Sequence, residues 1–175
     1  MTSSTLPPIV QATADDAALV AHLVAEAFST LDAARWLVAD PEARVIAMAG
    51  QFEILVEHAL RHGHADLLAD GSAAAVWVNR RQPVPPPPDY DRRLAEACGE
   101  HTGRFQILDA LFDAHHPVQP HHHLAFLAVR AEQRGTGRGA ALIRAHHARL
   151  DATGLPAYLE AADLRSRALY AREGY

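Results

Sequence analysis

The run Val129-Arg-Ala-Glu-Gln-Arg-Gly-Thr-Gly-Arg-Gly-Ala-Ala-Leu-Ile143 constrains the fold more than any other part of the chain. A short apolar segment passes there through an Arg- and Gly-rich turn straight into a helical pattern. Leu124-Ala-Phe-Leu-Ala-Val129 reads as a buried strand, and Leu142, Ile143, His146 and Leu150 recur at the spacing of one helix face. Gly135, Gly137 and Gly139 lie between the two patterns. Glycine reaches positive φ and lets backbone approach closely, and the unpaired N–H groups at a helix N-terminus attract negative charge. The junction therefore predicts a phosphate cradle.

Two familiar phosphate binders are excluded. A P-loop needs Gly-Lys followed by Ser or Thr, and the segment contains no lysine; a dinucleotide site needs Gly-x-Gly-x-x-Gly after an early strand. What the residues match is Arg-x-x-Gly-x-Gly, as Arg134-Gly135-Thr136-Gly137-Arg138-Gly139. A helix to about Asp151, a turn at Thr153-Gly154, a strand Pro156-Ala-Tyr-Leu-Glu-Ala161 and the run Leu164-Arg-Ser-Arg-Ala-Leu-Tyr-Ala-Arg-Glu-Gly-Tyr175 follow it. This succession resembles the GCN5-related N-acetyltransferases (GNAT), whose acetyl-CoA pyrophosphate loop and closing tyrosine helix have this order. Within that superfamily, Ala74–Val78, Leu124–Leu142 and Leu155–Tyr175 are similar to the puromycin N-acetyltransferase group. The resemblance implies an α/β domain with a mixed, mostly antiparallel central sheet flanked by helices, the acyl-CoA N-acyltransferase fold. The first half supplies a compatible order: a strand at Ile9-Val10, a helix from Ala14 to Phe28, a long helix from Pro41 to about His62, and strands around Leu67 and Val76.

The same resemblance implies the site. The backbones of Leu127, Ala128 and Val129 would meet the pantetheine arm and the thioester carbonyl. Arg134, Gly135, Thr136, Gly137, Arg138, Gly139 and Ala140 would hold the pyrophosphate, with Arg138 alternatively a solvated charge at the helix start. Ser166 stands where many relatives carry asparagine and keeps a hydroxyl for the cofactor. Tyr170 is expected as general acid toward the departing thiolate, since a phenol's ordinary pKa near 10 exceeds that of a thiol, with a ring merely packed against the sheet as its plainer alternative. Glu160 is the candidate base, with a salt bridge or a hold on loop backbone as its plainer alternative.

The histidines His115, His116, His121, His122 and His123 crowd around Pro117-Val-Gln-Pro120. Strand side chains alternate, so His121 and His123 point together and His122 away. The plainest reading is a solvated turn entering a strand; a substrate-facing histidine base is the alternative, and no metal site is expected, because no Cys or carboxylate pattern completes a ligand set. His146 and His147 are expected to be structural, with His146 satisfied at the core edge.

At 175 residues the chain is read as one domain. Its formal net charge of -5 argues against nucleic acid or an anionic membrane as partner. No apolar stretch is long enough to span a membrane, and Met1–Pro8 lacks the pattern of a secretory leader, so a cytoplasmic protein is expected. The single cysteine, Cys98, is expected to be structural, and the proline-rich Arg80–Asp91 segment a rigid connector. The family's tyrosine helix is normally followed by two more strands. The chain stops at Tyr175, so a C-terminally truncated domain is expected, or else a sheet edge completed by a second subunit in a homodimer. The function expected is acetyl-CoA-dependent acetyl transfer to a primary amine of a small molecule, such as an antibiotic or amine metabolite. Acetylation of a protein N-terminus or lysine and a non-catalytic CoA-binding module are the alternatives.

Overall fold

The computed structural model describes residues 6–175; Met1–Thr5, part of the segment read for a leader, lies outside the described residues. Five strands form one sheet in the order β1 (Ile9–Gln11), β2 (Gly63–Leu68), β3 (Ala73–Arg80), β4 (His121–Val129) and β5 (Ala157–Tyr158). The first three pairings are antiparallel and β4–β5 is parallel. Helices α1 (Ala17–Phe28), α2 (Asp32–Leu37), α3 (Pro41–His62), α4 (Tyr90–Cys98), α5 (Thr102–His115), α6 (Arg138–Leu150) and α7 (Leu164–Arg172) complete the chain. The mixed, mostly antiparallel sheet flanked by helices is the architecture expected.

Alternation along β3 divides the core. Ala74, Val76 and Val78 enter the apolar cluster built with α1, α3, α4 and Phe105 of α5, whereas Ala73, Ala75 and Trp77 enter a second cluster under α6 and α7. On the first face the rings of Phe28, Phe52 and Phe126 meet edge to face, Phe52 and Phe126 at 4.9 Å between centroids. The 22-residue α3 is defined by local chemistry at both ends. Asp40 accepts a hydrogen bond from the Ala43 N–H at 2.8 Å, Pro41 occupies the first turn, and Arg61 and His62 sit in the last turn, where they complement the helix dipole. Arg44, buried in this helix, donates to the carbonyls of Val38, Ala39 and Ser29 and so ties the two ends of the α2 region to α3. An apolar side chain there would strand three acceptors.

Several boundaries differ from those read in the sequence. Asp32–Leu37 forms a helix that was not expected, and the segment after Asp89 splits into α4 and α5 at Gly99, whose φ of 52° breaks the helical path. β4 begins three residues earlier than Leu124, because His121, His122 and His123 pair with Arg80, Asn79 and Val78. The predicted Pro156–Ala161 strand contracts to Ala157–Tyr158, since only His122 and His123 of β4 face it. Glu160 therefore lies beyond the strand. Cys98 is buried, its thiol pushed up to about 12 by burial and by the charge of Asp109, in keeping with a structural role.

His146 is completely enclosed, and its ring stacks on Trp77 at 3.7 Å between centroids. Its Nδ1 lies 3.1 Å from His64 Nε2, but its Nε2 has no partner, so the ring is only half satisfied, contrary to expectation. Burial, and then repulsion from His64, His122 and Arg149, pushes its pKa down to about 3. The unfolded ring takes a proton near pH 6.5 and the native ring does not until near pH 3, so unfolding binds a proton over that window and stability falls as the pH drops below 6.5. One such ring contributes a loss of about 2 kcal/mol between pH 7.5 and pH 5. Urea unfolding at the two pH values measures it, and His146→Phe, which keeps the stack on Trp77 and removes the titration, is expected to shrink the difference by about that amount.

Candidate active site

The turn between β4 and α6 has the shape the glycines predict. Gly135 and Gly137 take φ values of 79° and 86°, in the left-handed region that favours glycine, and Gly137 caps α6. Ala141 donates to the Gly137 carbonyl at 2.9 Å and is the first helical residue with a carbonyl one turn back inside the cap. The N–H groups of Arg138, Gly139 and Ala140 come before it, which leaves a ring of donors at the positive end of the helix. A Cβ on Gly139 would lie 3.5 Å from Leu127, 3.6 Å from Val129 and 3.7 Å from Leu169, so this glycine sets how closely α6 approaches β4 and α7. The donor ring fits a diphosphate, and these residues suit the acetyl-CoA pyrophosphate.

The arginines brace the loop. Arg138 donates to Ser72 Oγ at 2.9 Å and Thr136 Oγ1 at 2.8 Å, and its guanidinium lies 3.4 Å from Asp70 Oδ2 on the β2–β3 turn. The alternative of a solvated charge at the helix start does not describe it, since the side chain is largely enclosed. Arg134 donates to the Ala27 carbonyl at the end of α1 at 3.0 Å, and weakly to the Val129 carbonyl. Thr136 donates its hydroxyl to the Gln133 carbonyl.

β4 opens beside this loop. A register shift opposite Val76 and Trp77 makes Ala125 an extra residue, so Ala125 and Phe126 both pack toward the first core cluster, while Leu124, Leu127 and Val129 pack toward the second. β5 pairs with β4 only as far as His123. From Leu124 to Val129 the outer edge of β4 has no strand partner among the described residues, and its backbone groups face the space next to the α6 N-terminus. Leu127, Ala128 and Val129 thus lie on an open strand edge that can hydrogen-bond an extended amide chain.

At the other end of that edge the histidines converge. His121 and His123 share one sheet face, as alternation predicts, and His122 lies on the other face near His146, with 5.3 Å between ring centroids. The segment is not a solvated turn. His121 is buried, and Glu160, just past β5, lies between two imidazoles: His123 Nε2 is 2.9 Å from Glu160 Oε2, and His116 Nδ1 is 3.5 Å from Glu160 Oε1. His116 Nε2 is 3.0 Å from His121 Nε2, and His121 Nδ1 is 2.6 Å from the Gln119 carbonyl. A carbonyl only accepts, so His121 donates from Nδ1, and in the singly protonated ring its Nε2 accepts from His116 Nε2–H. Burial and the neighbouring charges of His123 and Arg80 push the His116 pKa down to about 4, and the ring is neutral at ordinary pH. Burial opposes ionisation of Glu160, yet the His123 hydrogen bond and charge, the Tyr158 hydroxyl and His116 together hold its carboxyl below the usual range.

Tyr170 lies in α7 and packs against the second core cluster with Leu169 and Tyr175. Burial, and then the charge of Asp163, pushes its phenol up to about 12, so it remains a proton donor at any physiological pH. Its hydroxyl makes no hydrogen bond among the described residues. Ser166 is committed elsewhere: its N–H donates to Asp163 Oδ1 at 2.6 Å, and its hydroxyl accepts from the Asp163 N–H and donates to the Asp163 carbonyl. This reciprocal cap starts α7. Glu173 at the other end receives both arms of Arg144 on α6 at 2.7 Å, and Tyr175 Oη lies 3.2 Å from His147 Nε2.

Sequence reasoning named His116 within the histidine cluster but missed its meeting, with His123, at Glu160. The alternation of His121 and His123 was a usable signal, and the parallel register puts Tyr158 opposite His123 with Glu160 only two residues further on.

The acetyltransferase (GNAT) family model matches residues 89–175. Among solved structures, the histone acetyltransferase HPA2 and related acetyltransferase of Corynebacterium glutamicum superposes with a TM-score of 0.68 at 28% sequence identity, over 97% of this chain and 84% of that one. A GCN5-related N-acetyltransferase of Ralstonia eutropha superposes with a TM-score of 0.59 at 20% identity, over 96% of this chain and 91% of that one, and shares the fold. The glycine turn, the open β4 edge and the tyrosine helix all fall within residues 89–175, the segment that matches the acetyltransferase (GNAT) family model.

Proposed function

We propose that this chain, a single domain, transfers acetyl from acetyl-CoA directly to a primary amine of a small molecule. The observation that carries the proposal is the meeting of three features along one strand: the donor ring at the α6 N-terminus, the unpaired β4 edge and the Glu160–His123 pair. Acetyl-CoA supplies the acyl group and a thiolate leaving group. The α6 N–H groups hold the pyrophosphate, and the β4 edge from Leu127 to Val129 binds the pantetheine amides and polarises the thioester carbonyl. As the amine nitrogen bonds to the carbonyl carbon and the C–S bond breaks, one proton leaves the nitrogen and one reaches sulfur. Glu160 and His123 take the first as a unit: with Glu160 ionised and receiving His123 Nε2–H, the lone pair of His123 Nδ1 accepts, and the carboxylate stabilises the imidazolium. Tyr170 supplies the second.

Direct transfer needs no covalent enzyme intermediate. Cys98, the one thiol in the chain, is buried and strongly protonated, the opposite of an activated nucleophile. A small amine metabolite, with an antibiotic of the puromycin type as one example, is the acceptor class this reading favours, in a cytoplasmic setting. No helix among the described residues is long and apolar enough to cross a membrane.

Gly137→Asp is expected to weaken acetyl-CoA binding at least about 30-fold in a calorimetric titration, because a side chain at φ 86° strains the cap and a carboxylate there repels the pyrophosphate. Unchanged affinity would place the cofactor elsewhere. Tyr170→Phe is expected to lower kcat about 100-fold, within the usual range for general acid catalysis, while leaving affinity for desulfo-CoA within a factor of about two. Thiol release across a panel of amines measures the first quantity and calorimetry the second; equal turnover by the two proteins would remove Tyr170 from the mechanism.

A further inference from the structure

We propose that His116, His123 and Glu160 form a binding site for one Zn²⁺ ion. One ligand atom from each lies within 4.8 Å of the others, with His123 Nε2–Glu160 Oε2 at 2.9 Å and His116 Nδ1–Glu160 Oε1 at 3.5 Å. Zinc binds imidazole nitrogen and carboxylate oxygen at roughly 2.0–2.2 Å in tetrahedral geometry, which puts neighbouring ligand atoms about 3.3–3.5 Å apart. Rotation of the imidazoles and the carboxylate, whose atoms already lie within 4.8 Å, would close the three onto one ion.

The hydrogen-bond chain itself calls for a cation. The Gln119 carbonyl fixes the proton of His121 on Nδ1, and that in turn fixes the proton of His116 on Nε2. His116 Nδ1 is then a bare lone pair, and it is aimed at a carboxylate oxygen. Two acceptors face each other with nothing between them. Zn²⁺ would satisfy both, and by displacing the proton from His123 Nε2 to its Nδ1 it would take the third ligand as well. The second nitrogen of His116 already meets His121 Nε2 at 3.0 Å, the outer hydrogen bond that holds a metal-bound imidazole in orientation. His116 follows α5 directly, and Pro117 and Pro120 restrict the segment that returns to β4, so the ligands are preplaced.

Electrostatics permit the ion. Arg80 opposes it from the same sheet face, but the Arg80 guanidinium is itself within the field of Asp113 and Glu160. The two imidazoles and one carboxylate leave a fourth position for water, which the partial exposure of all three side chains allows. A second group, His64, Asp66 and His146, also brings three such atoms together, but Arg149 already pairs with Asp66 and approaches His64 Nε2 at 3.2 Å, so a guanidinium fills that cation position. Zinc in the first group would occupy the Glu160–His123 pair and stop acetyl transfer; that consequence, unlike the binding, rests on the function proposed above.

Calorimetric titration of the purified chain with Zn²⁺, together with the visible absorption of tetrahedral Co²⁺ in the same site, tests the proposal. One ion per chain is expected for the parent and for His64→Ala. His116→Ala and His123→Ala are expected to bind it more than about 100-fold more weakly, beyond the loss that follows removal of an outer hydrogen-bond partner, with circular dichroism matching the parent. No binding by the parent, or binding lost in His64→Ala and kept in His116→Ala, overturns the site. Thiol release that survives saturation with zinc would refute the role of the Glu160–His123 pair with the site intact, and a metal-free chain without turnover would refute the acetyl-transfer reading alone.

Discussion

The parting of β4 from β5 after His123 is the constraint on which the rest of the structure depends. A parallel pair that continued to Val129 would satisfy the outer edge of β4 with ladder hydrogen bonds and leave nothing for a ligand. By ending at two residues, β5 turns the last two thirds of β4, Leu124 to Val129, into a row of unspent donors and acceptors. The bulge at Ala125 falls at the point of divergence, where it bends the strand and reverses the alternation of faces. Phe126 can then join the aromatic group on one face, while Leu127 and Val129 support Gly139 from the other.

Two groups of histidines use the same residue type to opposite ends. On the α6 face, His146 is sealed against Trp77 and is held neutral by burial, with an unpartnered nitrogen as the cost. On the other face, His116 and His123 stay partly accessible and meet at the Glu160 carboxylate, with the buried His121 behind His116. The difference follows from strand alternation: His122 belongs with the first group and its two neighbours with the second.

The glycine turn before α6 was legible in the sequence because its chemistry is local. Glycine at positive φ, a strand before it and a helix after it are all properties of adjacent residues, and Gly135, Gly137 and Gly139 behave as their positions demand. Helix α3 was readable for the same reason, through Asp40, Pro41 and its basic last turn. The Glu160 cluster was not, because its members are separated by up to 44 residues of chain and meet only through the β4–β5 register. The length of β5 also escaped local reading: Leu159 and Glu160 have strand-compatible neighbours, and only the divergence of the sheet takes them out of the ladder. Arg134 and Arg138 were read by charge alone, whereas their partners on α1 and the β2–β3 turn are tertiary.

The bidentate contact of Arg144 with Glu173 has a mechanical meaning. It fastens α7 to α6 and not to the sheet, and the packing of Leu169 beside Gly139 repeats the attachment one end further along. The helix whose first turn carries the free N–H groups is therefore the rod to which the helix of Tyr170 is fastened. The distance between that first turn and the Tyr170 phenol is thus set by a contact between two helices that share one apolar cluster with the sheet.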